Sequence, residues 1–208
     1  MTRPNDTSID AVVWDIGRVL VEWDLRGIYT DAIPDAAQRD WFVQNIVTER
    51  WHFRHDAGEA MADLVAERSA EFPEHRTLIE RYATHWLDSV PGPVPGTSAL
   101  IERLAERGVP QFSITNFGAD SWAMFRPTFP VLDHVRDIVV SGVEKLVKPD
   151  PAIFALAAER FGHAPERMLL IDDNAANIAA ASAAGWNVHH FTDGADALEA
   201  DFRARGLL

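Results

Sequence analysis

"AVVWDIGRVLVEWD", residues 11–24, drives an apolar run straight into a carboxylate at Asp15. The run is apolar at consecutive positions rather than at alternate ones. That pattern suits a strand buried on both faces, as in a parallel sheet covered by helices. Four more short runs share it: "QFSIT" (111–115), "DIVVS" (137–141), "RMLLID" (167–172) and "NVHHF" (187–191). Helical patterns separate them. "TSALIERLAERG" sets Leu100, Ile101 and Leu104 on one face and stops at Gly108. "DPAIFALAAERFG" opens with Asp150 as N-cap and Pro151 at the first helical position, and closes at Gly162. "NAANIAAASAAG" ends at Gly185, and Leu198 and Phe202 suit a final helix packed on the sheet. Strands alternating with helices over short links predict an α/β fold: a doubly wound, Rossmann-like parallel sheet.

Residues 24–89 break this rhythm. They carry helix-like patterns at 35–53, 59–72 and 74–90 and no strand pattern, and the stiff turn-forming "PGPVPG" (91–96) follows them. So long a helical excursion between strands predicts an inserted all-helical cap over 24–89, with 1–23 and 90–208 forming the α/β core. Asp24 is placed to cap the first cap helix. Trp41, Trp51 and Trp86 read as cap packing and Trp14 as sheet core.

The chain has 208 residues and a formal net charge of -13. That balance argues against a nucleic-acid partner or an anionic membrane surface, because both need a basic footprint. An anionic substrate would need local positive charge, from a metal or a placed lysine. There are no cysteines, which excludes disulfides and thiolate zinc sites and fits a cytoplasmic setting. "MTRPNDTSID" has no apolar core of a signal peptide, and no apolar run reaches membrane-spanning length.

Ligands of open parallel sheets bind outside the carboxyl ends of the strands. Three strand ends here are polar: Asp15, the pair Thr115–Asn116, and Asp172–Asp173–Asn174. Lys148 precedes the helix that Asp150 caps. Together these residues fit phosphoryl transfer through a carboxylate nucleophile. A carboxylate and a phosphate repel, so a cation must bridge them. Asp15 with Asp172 and Asp173 offers the hard oxygen ligands that Mg²⁺ takes. Lys148 would neutralise phosphoryl oxygens, and Thr115 with the backbone near Asn116 would hydrogen-bond them.

Asp15, then "SITN", then "VKPDPAIF", then "LLIDDNAAN" followed by "AAGW", resemble the four ordered motifs of the haloacid dehalogenase-like hydrolase superfamily. The resemblance covers about two-thirds of the chain, on both sides of the helical insertion. It implies Asp15 as nucleophile, Thr115, Asn116 and Lys148 around the phosphoryl group, and Asp173 as the foremost ligand from the last motif. Asp172 is a further ligand or sits beside it, and Asn177 ties the metal site together.

The family's phosphatases place a second aspartate two positions after the nucleophile, as general acid and base. Here that position is Gly17. Its carbonyl can face the metal, but its side-chain help, worth ~10²–10⁴-fold in rate, is missing. Three readings follow. The chain is a selective phosphatase of a small phosphorylated metabolite, similar to the branch that includes sugar-1-phosphate phosphatases. It is a 2-haloacid dehalogenase, a class that needs neither the second aspartate nor the acidic pair. Or it is an impaired binder, against which the retained Asp15, Thr115, Lys148 and acidic pair speak.

Arg18 stands where relatives usually have Asn or Gly, types that tolerate a left-handed backbone. It could meet an anionic substrate or a cap carboxylate. In "RWHFRHDAGE" (50–59), Trp51, His52, Arg54 and His55 crowd a turn expected at 56–58. Arg54 and His55 are the candidate substrate contacts, and a histidine there could supply the missing proton. His189 and His190 are adjacent, point to opposite faces of a strand, and so cannot share one metal.

Overall fold

The computed structural model describes residues 8–208. The N-terminal stretch read for a signal peptide lies mostly outside those residues. Five strands form one parallel sheet: β1 (Ala11–Trp14), β2 (Gln111–Thr115), β3 (Ile138–Val140), β4 (Met168–Asp172) and β5 (Asn187–His190). Their order is β3-β2-β1-β4-β5. The chain winds outward from β1 through β2 to β3, then returns to β4 on the other side of β1. A crevice forms at such a reversal, beyond the carboxyl ends of the strands. Here it lies at the end of β1, flanked by β2 and β4.

Trp14 pairs with Ser113 on one side and Ile171 on the other. One step further along the same register, Asp15 and Asp172 leave adjacent strands side by side. The Asp15 N–H still donates to the Ile171 carbonyl, at 2.9 Å.

Successive strand residues face opposite sides, and both sides are covered. Val12, Trp14, Leu169 and Ile171 pack with Leu100, Ile101, Leu104, Leu198 and Phe202. Ala11, Val13, Phe112, Ile114, Met168 and Leu170 pack with Ile153, Phe154, Phe161 and Trp186. This two-sided burial is the reason for the unbroken apolar runs.

Between β1 and β2 the chain is helical: a 3-10 turn Leu25–Tyr29, then α1 (Ala36–Asn45), α2 (Glu49–Asp56), α3 (Met61–Glu71) and α4 (Arg76–Thr84). Its buried residues Ile28, Phe42, Leu64, Ile79 and Trp86 belong to the same apolar cluster as Trp14. The Asp24 carboxylate caps the 3-10 turn, accepting the Arg26 N–H. The single helical pattern over 35–53 is divided. Ile46 and Val47 turn inward at 2% and 0% exposure, and the Thr48 hydroxyl caps α2 by accepting the Trp51 N–H. Three consecutive β-branched residues favour such a break.

α5 (Thr97–Glu106) then leads back into the sheet at β2, and after β2 come α6 (Ala119–Phe125), α7 (Ser141–Glu144), α8 (Pro151–Phe161), α9 (Ala175–Ala183) and α10 (Gly194–Ala204). Asp150 caps α8, with Pro151 at its first position and a left-handed Gly162 at its end. Phe202 of α10 meets Trp14 edge-on, with ring centroids 5.8 Å apart. Among the described residues, no helix is long and apolar enough to cross a membrane.

Candidate active site

At the end of β1 the chain makes a tight loop. The Ile16 carbonyl accepts the N–H groups of Leu20 and Val21, at 2.8 and 3.0 Å, and the Arg18 N–H returns to the Val21 carbonyl at 2.7 Å. This loop fixes the Asp15 side chain, whose Oδ1 accepts the Ile16 N–H at 2.6 Å. It also requires a left-handed residue, and Arg18 supplies it with φ +60°. At Gly17 an added Cβ would meet nothing within 4 Å, so glycine is not there for want of space.

Lys148 is 1% exposed. Its Nζ lies 2.6 Å from Asp172 Oδ2 and 3.0 Å from Asp15 Oδ2. Asn116 holds the lysine's backbone from both sides: its Oδ1 accepts the Lys148 N–H at 2.8 Å, and its Nδ2 donates to the Lys148 carbonyl at 2.9 Å. Asn116 therefore positions Lys148. Thr115, 1% exposed, ends β2 beside it. Asn177 of α9 donates to both Asp172 oxygens, at 3.0 and 3.1 Å, and the Asn174 N–H donates to Oδ1 at 2.9 Å.

Asp15, Asp172 and Asp173 each offer a carboxylate oxygen, and these three atoms lie within 4.8 Å of one another. Three carboxylates face one ammonium, which leaves two negative charges in a largely buried space. Burial raises the Asp15 carboxyl well above its usual range, with Lys148 opposing and Asp172 and Asp173 adding to the rise. Asp173 is raised by burial and then by Asp172. Burial also penalises the Lys148 ammonium, but Asp15 and Asp172 outweigh it and hold its pKa above normal. A divalent cation is what this donor set lacks in charge, and carboxylate oxygens are the ligands Mg²⁺ prefers. The residues fit that group.

A cavity of about 190 Å³ opens over Asp15. Gly17, Asn116, Lys148, Asp173 and Asn177 line it from the sheet's loops and α9, and Arg18, Trp23, His52, Phe53, Asp56 and Trp86 complete the lining. The Arg18 guanidinium lies 5.0 Å from the Trp23 ring centroid and pairs with Glu49 of α2 at 2.8 Å, so it meets a carboxylate of the helical segment. Arg54 does not line the cavity. It is forked between Glu59 and Glu67, at 2.6 and 2.7 Å. His55 is buried outside the cavity, against the Glu59 carbonyl and the Ser121 hydroxyl, at 2.8 and 3.1 Å. An added Cβ at Gly118 would collide with its ring.

The helix continues further than the expected turn allowed. α2 runs through Asp56, Ala57 caps it, and Gly58 takes φ +103°. His52 and Asp56 are four residues apart, share a face, and turn that face to the cavity. Asp56 falls where the sequence predicts a turn, and so does not stand out as a cavity residue. The i, i+4 spacing from His52 was the signal that it belonged to the helix. His189 and His190 do part company, toward the Asp201 carboxylate and the Asp173 carbonyl respectively.

A buried aspartate stands at the switch point, and an acidic pair stands at the end of the neighbouring strand. The chain belongs to the haloacid dehalogenase-like hydrolase family, whose profile matches residues 9–185. Hexitol phosphatase A of Escherichia coli (strain K12) is 28% identical over 184 residues, 80% of this chain and 79% of that one. A phosphoglycolate phosphatase of Mesorhizobium japonicum is 27% identical over 186 residues, covering 82% and 81%. The fold is also that of a Bacteroides thetaiotaomicron family member solved with magnesium and inorganic phosphate. That match has a TM-score of 0.69 and 21% identity, and covers 87% of this chain and 93% of the other.

Proposed function

We propose that the protein is a Mg²⁺-dependent phosphatase of a small phosphorylated metabolite, working through an aspartyl-phosphate on Asp15. One observation carries this reading: three carboxylates converge within 4.8 Å around a buried lysine, so the site is short of positive charge. A 2-haloacid dehalogenase has no use for that excess of carboxylates. The phosphatase relatives support the same reading.

Asp15 attacks phosphorus, the P–O bond to the alcohol breaks, and water later hydrolyses the acyl phosphate. Lys148 and Thr115 hold the non-bridging oxygens, and Asn116 keeps Lys148 in place. Mg²⁺ held by Asp15, Asp173 and Asp172, with the Gly17 carbonyl beside them, would offset the repulsion between carboxylate and phosphate. The helices of 24–89 act as a cap that excludes water and selects the leaving group. A cavity of about 190 Å³ suits a small ester rather than a polymer. The lining residues Trp23 and Trp86 favour a leaving group with apolar C–H faces, such as a sugar.

The test is a panel of sugar phosphates and 2-haloacids, assayed with Mg²⁺ and with a chelator. Phosphate release that the chelator abolishes is the expected outcome, and Asp15→Asn should abolish it too. Halide release independent of metal, with no phosphate release, would overturn the reading.

A further inference from the structure

We propose that Asp56, carried on the helical segment, supplies the carboxyl that Gly17 lacks. It rests on the phosphatase reading above. In the first half-reaction an Asp15 oxygen bonds to phosphorus and the bond from phosphorus to the ester oxygen breaks. The Asp56 carboxyl gives its proton to that departing oxygen. In the second half-reaction a water oxygen bonds to phosphorus and the Asp15–phosphorus bond breaks. The Asp56 carboxylate takes the proton that the water loses, which restores both aspartates.

Four features place Asp56 in that role. It lines the same cavity as Asp15 and Gly17. Its main chain is fastened to the phosphate-side loops rather than left to the helix end. The Ser141 hydroxyl donates to the Asp56 carbonyl at 2.6 Å and accepts the Phe117 N–H at 2.9 Å, one residue beyond Asn116. Next, Asp56 sits at the C-terminal end of α2, where a negative charge opposes the helix dipole. At 7% exposure it is also largely withdrawn from bulk solvent. Both effects favour the protonated acid. Finally, its partner is a neutral histidine rather than a cation: His52 Nε2 lies 3.4 Å from Asp56 Oδ2, and His52 Nδ1 is held by the Tyr82 hydroxyl at 2.6 Å.

The surrounding groups agree. Burial pushes Asp56 up to about 7, with His55 and a hydrogen bond from the Gly118 backbone opposing. Burial pushes the His52 imidazole down to about 3; His55 and Arg18 act in the same direction and Glu49 against it. Tyr82, packed against the pair from α4, is itself raised by burial. An acid that keeps its proton until near neutrality is matched to both halves of the reaction.

The experiment compares Asp56→Asn with wild type on two substrates, a hexose 6-phosphate and p-nitrophenyl phosphate. An alkoxide needs a proton to leave and nitrophenolate does not. The kcat/KM for the sugar phosphate should fall by about 10²-fold or more, and that for the nitrophenyl ester by less than about tenfold. A burst of nitrophenolate, one per enzyme, should then precede slow turnover, because the water step has lost its base. Adding Gly17→Asp to Asp56→Asn should restore at least about tenfold on the sugar phosphate, since a Cβ at Gly17 meets nothing within 4 Å. Equal losses on both substrates, with no burst and no rescue, would overturn the proposal and make Asp56 structural. If Asp56→Asn does not fold, wild type decides with a series of aryl and alkyl phosphates. A shallow dependence of kcat/KM on leaving-group pKa supports a general acid, and a steep one overturns it. Failure of wild type to hydrolyse any phosphate ester with Mg²⁺ is a different result: it removes the phosphatase reading and takes this proposal with it.

Discussion

Lys148→Met removes the cation from between two buried carboxylates while keeping most of the side-chain volume. Lys148 is 1% exposed and its partners Asp172 and Asp15 are 0% and 8% exposed, so solvent does little to screen the loss. Both contacts are short, at 2.6 and 3.0 Å. Breaking a buried pair by deleting one partner costs about 3–5 kcal/mol, because the other charge stays behind without compensation. At roughly 2–4 °C per kcal/mol for a chain of this size, the melting temperature should fall by about 6–20 °C in metal-free buffer. Scanning calorimetry with chelator present measures this directly. Mg²⁺ should then recover more stability in the variant than in wild type, since the variant site carries one more uncompensated negative charge. A fall of less than about 3 °C would refute the reasoning, for it would mean that the carboxylates do not depend on Lys148.

Wild type itself should gain about 2.7 kcal/mol, or roughly 5–11 °C, at a Mg²⁺ concentration one hundred times its Kd. Asp173→Asn should remove most of that gain, which a thermal shift series with and without Mg²⁺ would read. Burial raises the Asp56 carboxyl from its ordinary 3.8 to about 7. Its favourable contribution is therefore complete below the lower value and is lost as pH rises through the higher one. Asp56→Asn does not titrate, so its stability relative to wild type should climb between about pH 4 and pH 7; a flat difference in urea midpoints would contradict the burial argument. Arg18 holds φ +60°, at a cost of about 1–2 kcal/mol for a residue with a Cβ. Arg18→Gly should thus be more stable than Arg18→Ala by about 1 kcal/mol in denaturant titrations, since both lose the exposed Glu49 pair equally.

Much of the fold was legible because its cause is local. A strand covered on both faces is apolar at consecutive positions, as β1 and β4 are, and all five runs became parallel strands, although the edge strand β5 is only partly buried. The cap of α8 was legible for the same reason: Asp150, Pro151 and Gly162 act on the backbone beside them. Arg18 was read correctly as sitting where the backbone turns left-handed. The helical segment resisted reading where its helices end. Thr48 divides one apolar pattern into two helices, and Asp56 extends α2 into an expected turn, because tertiary packing of Ile46, Val47 and His55 sets those ends. Arg54 and His55 had the right chemistry for substrate contact, but the helix aims them at Glu67 and Ser121. Their helical neighbours His52 and Asp56 received the cavity instead.

The sequence by itself determined the sheet, the strand-end carboxylates and the family to which they belong. All three rest on short-range patterns: apolar runs, caps and motif spacing. Only the tertiary structure decided which groups meet. Lys148 reaches Asp15 and Asp172 because β4 returns to the far side of β1, across 133 residues for one partner and 24 for the other. The absence at Gly17 was visible in one line of sequence, but the α2 residues that share its cavity were not. Their place is set by the roll of α2 about its axis, which depends on what its other face buries.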